Sequence, residues 1–462
     1  MSLKKKQILE LAIEGAAFGA LGVARVDGMA VFVEGAVPGD VVSAVVIKKK
    51  KAWARARTLE VLTPSPDRVE PPCPWSRWCG GCKWQFLDYE KQVRYKAAQV
   101  AESLERIGGL SGFDMLPPIP APEIWGYRNK MEFSCADRRW LLPEELGEGG
   151  PPKEFALGLH VPGTFDKVLD ISRCLLQTEE ANAILATVRE RVLASGLPAY
   201  GLRTHEGFWR FVVIRRSVAE DRYLVNLVTA WEETPVLFSM AEKIMEAHPS
   251  IAGVVNNVSA KKSGVAVGDY EIPLAGSPTL VDAIGPFRFT VSANSFFQTN
   301  TRQAETLYGV VSDFAALTGS ERVLDLYSGT GTIPIWLSAD AGEVLGVELV
   351  ESAVKDAVEN CVQNGVDNCK FLLGDIRDVL PSLDFTPDVL VADPPRSGMH
   401  PKVVAAINNL AAPKVVFVSC NPATAARDLA LMSDTYRIKT VQPLDMFPHT
   451  HHVEMVALLE KR

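Results

Sequence analysis

In the first sixty or so residues, short apolar stretches recur at close intervals. Residues 23–26, 29–33 and 41–48 alternate or run apolar, and Asp27-Gly28 and Pro38-Gly39-Asp40 punctuate them with turn chemistry. Several short strands in so little chain predict a small barrel of the OB type, a fold used to hold oligonucleotides. Pro64, Pro66, Pro71 and Pro72 mark a linker. The period then changes: Val93, Ala97, Val100 and Leu104 recur at threes and fours, predicting a helix over 89–107 that Gly108-Gly109 ends. From 125 to 290, strand-like runs (211–214, 223–228, 253–258) mix with helical stretches (179–194, 236–247), which predicts an α+β middle domain. The last third is more regular. Val- and Leu-rich runs at 322–326, 344–347, 389–392 and 415–418 are separated by helical stretches such as 351–363 and 402–410. That alternation predicts parallel βαβ units in a doubly wound α/β sheet, with ligands bound beyond the carboxyl ends of the strands.

At 462 residues the chain calls for two or three domains. With 47% hydrophobic residues, 23% charged residues and 8 Cys, it is neither a disordered chain nor a disulfide framework. No apolar run reaches membrane-spanning length and no apolar leader follows Met1, so an unprocessed cytoplasmic protein is expected. Ten Lys and Arg against six acids in residues 1–62 leave +4, so the other 400 residues carry −12 of a total of −8. A basic first module on an acidic body is compatible with nucleic-acid binding through local patches, and equally with a solvated Lys48–Lys51 edge.

The chemistry-bearing residues cluster after the predicted strands. Asp325-Leu326-Tyr327-Ser328-Gly329-Thr330-Gly331-Thr332 follows the first run; Glu348, Asp375 and Asp393 follow the next three. Glycines for a tight turn plus a carboxylate at each strand end describe a nucleoside pocket, with Glu348 placed to accept from ribose hydroxyls. The third glycine of a dinucleotide fingerprint is missing, and Asp393-Pro394-Pro395-Arg396 resembles loops of S-adenosylmethionine-dependent nucleobase methyltransferases. After the fifth run, Ser419-Cys420-Asn421-Pro422 projects a thiol into the same crevice. Carbon 5 of uracil becomes nucleophilic only after something adds to carbon 6, and a thiolate performs that addition. Pocket polarity and a cofactor sulfonium are expected to favour the thiolate. A base must then take the carbon 5 proton, and Glu454, in His451-His452-Val453-Glu454, is the candidate.

With Phe296-Phe297-Gln298-Thr299-Asn300, Tyr127-Arg128-Asn129-Lys130 and Thr424, Arg427 and Asp428 added, the chain resembles the RNA uracil-5 methyltransferases that make 5-methyluridine in ribosomal RNA and tRNA. The resemblance implies Cys420 as nucleophile and Glu454 as base, with Gln298, Tyr327, Thr332, Glu348, Asp375 and Asp393 contacting S-adenosyl-L-methionine. Some members carry Asn in place of Thr332. The implied fold is a Rossmann-like class I methyltransferase domain (89–120 and 291–462), an α+β middle domain (65–88 and 121–290) and an N-terminal OB-like TRAM barrel (1–64). Because tRNA-specific bacterial members generally lack the barrel, its presence favours 23S ribosomal RNA over tRNA as the partner; a monomer is expected, with no membrane association. The rivals are an exocyclic-amine methyltransferase using Asp393, which leaves Cys420 and Glu454 idle, and a non-catalytic iron–sulfur RNA-binding protein.

Cys73, Cys79 and Cys82 crowd ten residues. In a cytoplasmic protein such spacing suggests a metal site, and by itself leaves zinc and iron–sulfur open. The resemblance implies a 4Fe-4S cluster in the middle domain with Cys174 as fourth ligand and Cys135 as its rival. Cys361 and Cys369 read as packing residues.

Overall fold

The computed structural model describes residues 3–147, 149–262 and 264–462. The first sheet has six strands, with Ile8–Ala12 antiparallel to Val41–Lys49, then Trp53–Thr63, Met29–Glu34, Leu21–Val26 and Gly15–Ala17. Its core shows why these segments are strands: Val42, Ala44 and Val46 are buried while the alternate positions are half-exposed. Asp27 and Gly28 both take positive φ, 48° and 80°, the mirror-image turn that matches strand twist in a tight hairpin. The sheet curls closed where the N–H of Ile13 donates to Asp40 O and that of Glu14 to Val23 O.

The middle of the chain forms a seven-stranded sheet in the order Val168–Asp170, Ala156–His160, Lys130–Ala136, Trp209–Ser217, Arg222–Thr229, Ile251–Val258, Tyr270–Gly276. Helices Glu179–Ala194 and Thr234–Ala247 close one face, burying Ile184, Leu185, Leu237 and Ile244 against Phe133, Val212, Val225 and Val254. A separate hairpin, Thr279–Ile284 with Phe287–Ser292, leads into the last third.

There, eight strands run in the order Cys369–Leu373, Glu343–Glu348, Arg322–Leu326, Val389–Ala392, Lys414–Ser419, Glu454–Lys461, Tyr436–Leu444, Asp114–Met115. The first five are mutually parallel. The strand order reverses between Arg322–Leu326 and Val389–Ala392, which opens a crevice at their carboxyl ends. Departing from a wholly parallel sheet, Glu454–Lys461 inserts antiparallel between Lys414–Ser419 and Tyr436–Leu444. Its first residue therefore lies where its antiparallel neighbour Lys414–Ser419 ends, with Met455 opposite Ser419. Helix Tyr89–Arg106, capped by Asp88, sends Val100 and Leu104 into the core beneath this sheet, beside Ala425, Leu429 and Val441.

Candidate active site

The glycine-rich turn leaves strand Arg322–Leu326 through Tyr327, whose φ of 68° is uncommon for a side-chain-bearing residue. The N–H groups of Tyr327 and Ser328 both donate to Val347 O, fastening the turn to the neighbouring strand. Gly331, at φ 80°, has no room for a Cβ, which would meet Phe371 at 2.9 Å and Ala357 at 3.0 Å. Glu348 faces the turn: one carboxylate oxygen accepts from Gly329 N–H at 2.9 Å and the other from the N–H groups of Leu349 and Val350. Asp375 caps the next helical turn and is paired with Arg377, which holds it at about 2. The Thr332 hydroxyl lies 2.8 Å from the buried Tyr308 hydroxyl and is thereby already partnered.

Asp325 lies inside its strand rather than beyond it. It is fully buried, and neither carboxylate oxygen has a partner among the described residues. Burial, with Asp393 and Glu348 nearby, drives its pKa well above the carboxylate range. Burial likewise raises Asp393 to about 6. Sequence reasoning placed Asp325 in a motif but not among the site residues; an acid interrupting a Val-Leu strand was the available signal.

Cys420 follows strand Lys414–Ser419, and Asn421 caps helix Pro422–Met432, whose first residue is the proline. The antiparallel insertion brings Glu454 to the same place. Glu454 is only 7% exposed, so it is not a solvated edge residue, and burial raises its pKa well above normal, with Asp393 adding to the effect. Cys420 is pushed up to about 11 by burial and by Glu454 and Asp393, against a smaller pull from Arg396. The expectation that the pocket itself favours the thiolate is therefore corrected: its carboxylates oppose the second negative charge.

Residues outside the crevice hold it in shape. Asn129 of the middle domain donates to Gln298 O and to Thr301 Oγ1, both at 2.8 Å, fixing the Gln298 segment. Buried Asn360, which sequence reasoning missed, donates to Thr330 O and accepts from Thr290 N–H. Arg427, paired with buried Asp428, donates to Ser397 O and Met399 O, clamping the loop after Asp393. The loop before Glu454 is pinned by the buried Lys96–Asp445 pair at 2.7 Å, by Tyr127 donating to Pro448 O, and by the N–H groups of Lys83 and Trp84 donating to His449 O.

A second constellation lies in the middle domain. Cys73, Cys79, Cys82 and Cys174 line a cavity of about 580 Å³ with His160 and Arg128. The N–H of Gly81 donates to the Cys79 sulfur at 3.4 Å, and that of Ser76 to the Cys73 carbonyl at 3.1 Å. Burial raises Cys79 and Cys82 to about 12. Cys135 is buried in strand Lys130–Ala136 and does not line the cavity. Among the described residues, no three His, Cys, Asp or Glu side chains are drawn together as around one metal ion.

Residues 284–462 match the tRNA (uracil-5-)-methyltransferase family model and residues 3–59 the TRAM domain model. The uncharacterized RNA methyltransferase CT0009 of Chlorobaculum tepidum is 42% identical, covering 94% of this chain and 92% of its own length. An uncharacterized RNA methyltransferase of Porphyromonas gingivalis is 40% identical, covering 98% and 99%. The chain belongs to the TRAM-containing RNA uracil-5 methyltransferase family. The solved Pyrococcus abyssi tRNA (uracil-54, C5)-methyltransferase, in complex with S-adenosyl-L-homocysteine, superposes with a TM-score of 0.76 at 28% identity, covering 98% of this chain and all of that one. A solved tRNA enzyme thus matches nearly the whole chain. No helix among the described residues is long and apolar enough to cross a membrane.

Proposed function

We propose that the enzyme transfers a methyl group from S-adenosyl-L-methionine to carbon 5 of a uridine in 23S ribosomal RNA, with Cys420 as nucleophile and Glu454 as base. The observation that carries this reading is the meeting of a thiol and a buried carboxylate at the mouth of an acid-lined nucleoside crevice. Two features support a cofactor there: Asp325 offers buried carboxylate oxygens without partners among the described residues, and Glu348 faces the glycine turn; the reading assigns Gln298, Tyr327, Thr332, Asp375 and Asp393 to the cofactor as well. S-adenosyl-L-methionine supplies an electrophilic methyl group and, on its sulfur, a positive charge.

The Cys420 thiolate adds to carbon 6, and the electron pair of the 5,6 double bond moves into the ring as an enolate. Carbon 5 would then take the methyl group, whose bond to the sulfonium sulfur breaks with its electron pair returning to that sulfur, leaving a neutral thioether. Glu454 removes the carbon 5 proton, the double bond re-forms, and the thiolate leaves. Its raised pKa makes Glu454 a stronger base once ionised. The target carbon 6 face must be open, so the uridine lies in a loop or is flipped into the crevice. The second reading, a tRNA uridine, is favoured by the Pyrococcus abyssi neighbour.

We also assign the four thiols a 4Fe-4S cluster. Sulfurs spaced around a cavity of about 580 Å³ suit a group of several atoms better than a single zinc. Bound there, the cluster would cross-link the 73–82 segment to Cys174 and brace the middle domain. We place the enzyme in the cytoplasm, as a monomer.

Incubation with labelled cofactor and with 23S ribosomal RNA and tRNA transcripts tests the reading. Cys420→Ala is expected to give neither methylation nor adduct. Glu454→Gln is expected to accumulate a methylated protein–RNA adduct on denaturing gels. An active Cys420→Ala enzyme ends the carbon-methylation reading, and the transcript that is methylated decides between the two RNAs.

A further inference from the structure

The turn between strands Gly15–Ala17 and Leu21–Val26 of the barrel carries Phe18, whose ring is 37% exposed and meets His451 edge-on at 5.7 Å. His451 lies against His452 at 4.1 Å with 36° between the rings, and His452 against Phe447 at 6.1 Å. Glu454 is two residues further on. This contact between domains is not a loose one. Ala16, Ala20 and Val37 of the barrel share an apolar cluster with Trp84, Phe86, Leu87 and Tyr95, and Arg68 of the linker pairs with buried Asp40 at 2.7 Å.

The rings stand among cations. Arg396 Nη2 is 3.5 Å from His452 Nε2, and its carbonyl accepts from Asn421 and Thr424, the residues flanking Cys420's helix start. Lys83, whose backbone N–H donates to His449 O, adds a second positive charge that helps burial lower the His451 pKa. Burial lowers His451 to about 4 and His452 to about 3, so both are neutral plates at physiological pH. Aromatic rings flanked by Arg and Lys are what single-stranded nucleic acid requires: plates for bases and cations for phosphates.

We propose that Phe18, His451 and His452 form a stacking step, assembled from two domains, that receives the nucleotide next to the target uridine and so holds that uridine out of its stack. Taking a base out of the stack leaves its neighbour's face bare, and a waiting aromatic plate recovers part of that cost. The inference rests on the uridine-methylation reading. It makes the barrel a wall of the active site as well as an anchor for distant RNA.

The test uses the full-length protein and the transcript it methylates, carrying 5-fluorouridine at the target and fluorescent 2-aminopurine beside it. Phe18→Ala and His451→Ala are expected to weaken RNA binding about fivefold or more and to abolish the fluorescence quenching that stacking produces. Phe18→Trp restores both, while cofactor affinity and melting temperature stay unchanged. Unaltered binding and quenching in Phe18→Ala overturns the proposal. So does a loss that Phe18→Trp fails to restore, or one matched by a fall in melting temperature, because the ring would then serve only domain packing. A wild-type protein that forms no adduct with 5-fluorouridine in either RNA removes the methylation reading itself, a failure distinct from an adduct that forms equally well without Phe18.

Discussion

Cys420 and the Cys73, Cys79, Cys82, Cys174 group carry the same functional group in contrasting surroundings. Burial raises the pKa in both places, to about 11 at Cys420 and to about 12 at Cys79 and Cys82. Around Cys420 the charged neighbours are Glu454 and Asp393, opposed by Arg396. Around the four thiols the neighbours are one another, with Lys83 near Cys79 and Arg128 near Cys174 as opposing charges. A high thiol pKa therefore does not by itself separate an inert cysteine from a working one. On the proposed reading, what separates them is the positive charge each setting would receive: a cationic cofactor in an acidic crevice, or metal ions among sulfurs.

The largest effect that can break this comparison is a crossed pair of substitutions. Cys420→Ala is expected to lower turnover by at least about 10⁴-fold while leaving iron content and melting temperature unchanged. Cys82→Ser is expected to lose the broad absorbance near ~400 nm and the roughly four irons per chain of the anaerobically purified parent, and to melt at lower temperature. Iron loss in Cys420→Ala would erase the distinction between the two settings, and a colourless parent holding one zinc would remove the cluster. Next in size, Glu348→Ala is expected to weaken S-adenosyl-L-methionine binding about 30- to 150-fold, because a charged acceptor for the ribose hydroxyls is worth roughly 2–3 kcal/mol. Calorimetry showing unchanged affinity would leave Glu348 as a clasp for the Gly329 turn alone.

The smallest effect per step is in pH. Cys420 must lose a proton to attack and its folded value lies near 11, so kcat/KM of the free enzyme rises about tenfold per pH unit from neutral towards that value. Glu454 must also be ionised to act as a base, and its raised pKa works in the same direction, so activity falls on acidification from either group. A profile flat between pH 7 and 9 would mean that the thiolate forms at lower pH than its carboxylate neighbours allow.

Much of this could be read from the chain because local physics dictated it. Strand Arg322–Leu326 and helix Glu179–Ala194 fall where the apolar pattern sets them, and Pro422 opens its helix because a proline needs no amide partner there. Asp325 falls inside the same apolar run. Periodicity says that residue 325 belongs to a buried strand, and only the absence of a partner for its carboxylate shows that the burial is purposeful.

The sequence by itself determined which residues can do chemistry: a thiol after a strand, acids after its neighbours, a cysteine triplet, and glycines where the backbone must turn. Tertiary structure alone decided which of them meet. Glu454 reaches Cys420 because one strand enters the sheet backwards, and no local preference encodes strand direction. Phe18 reaches His451 because Ala20, Val37, Trp84 and Leu87 bury one another across a domain boundary. Burial, and after it carboxylates remote in sequence, raise the pKa of the Cys420 thiol, through excluded water and forces set by distance in space.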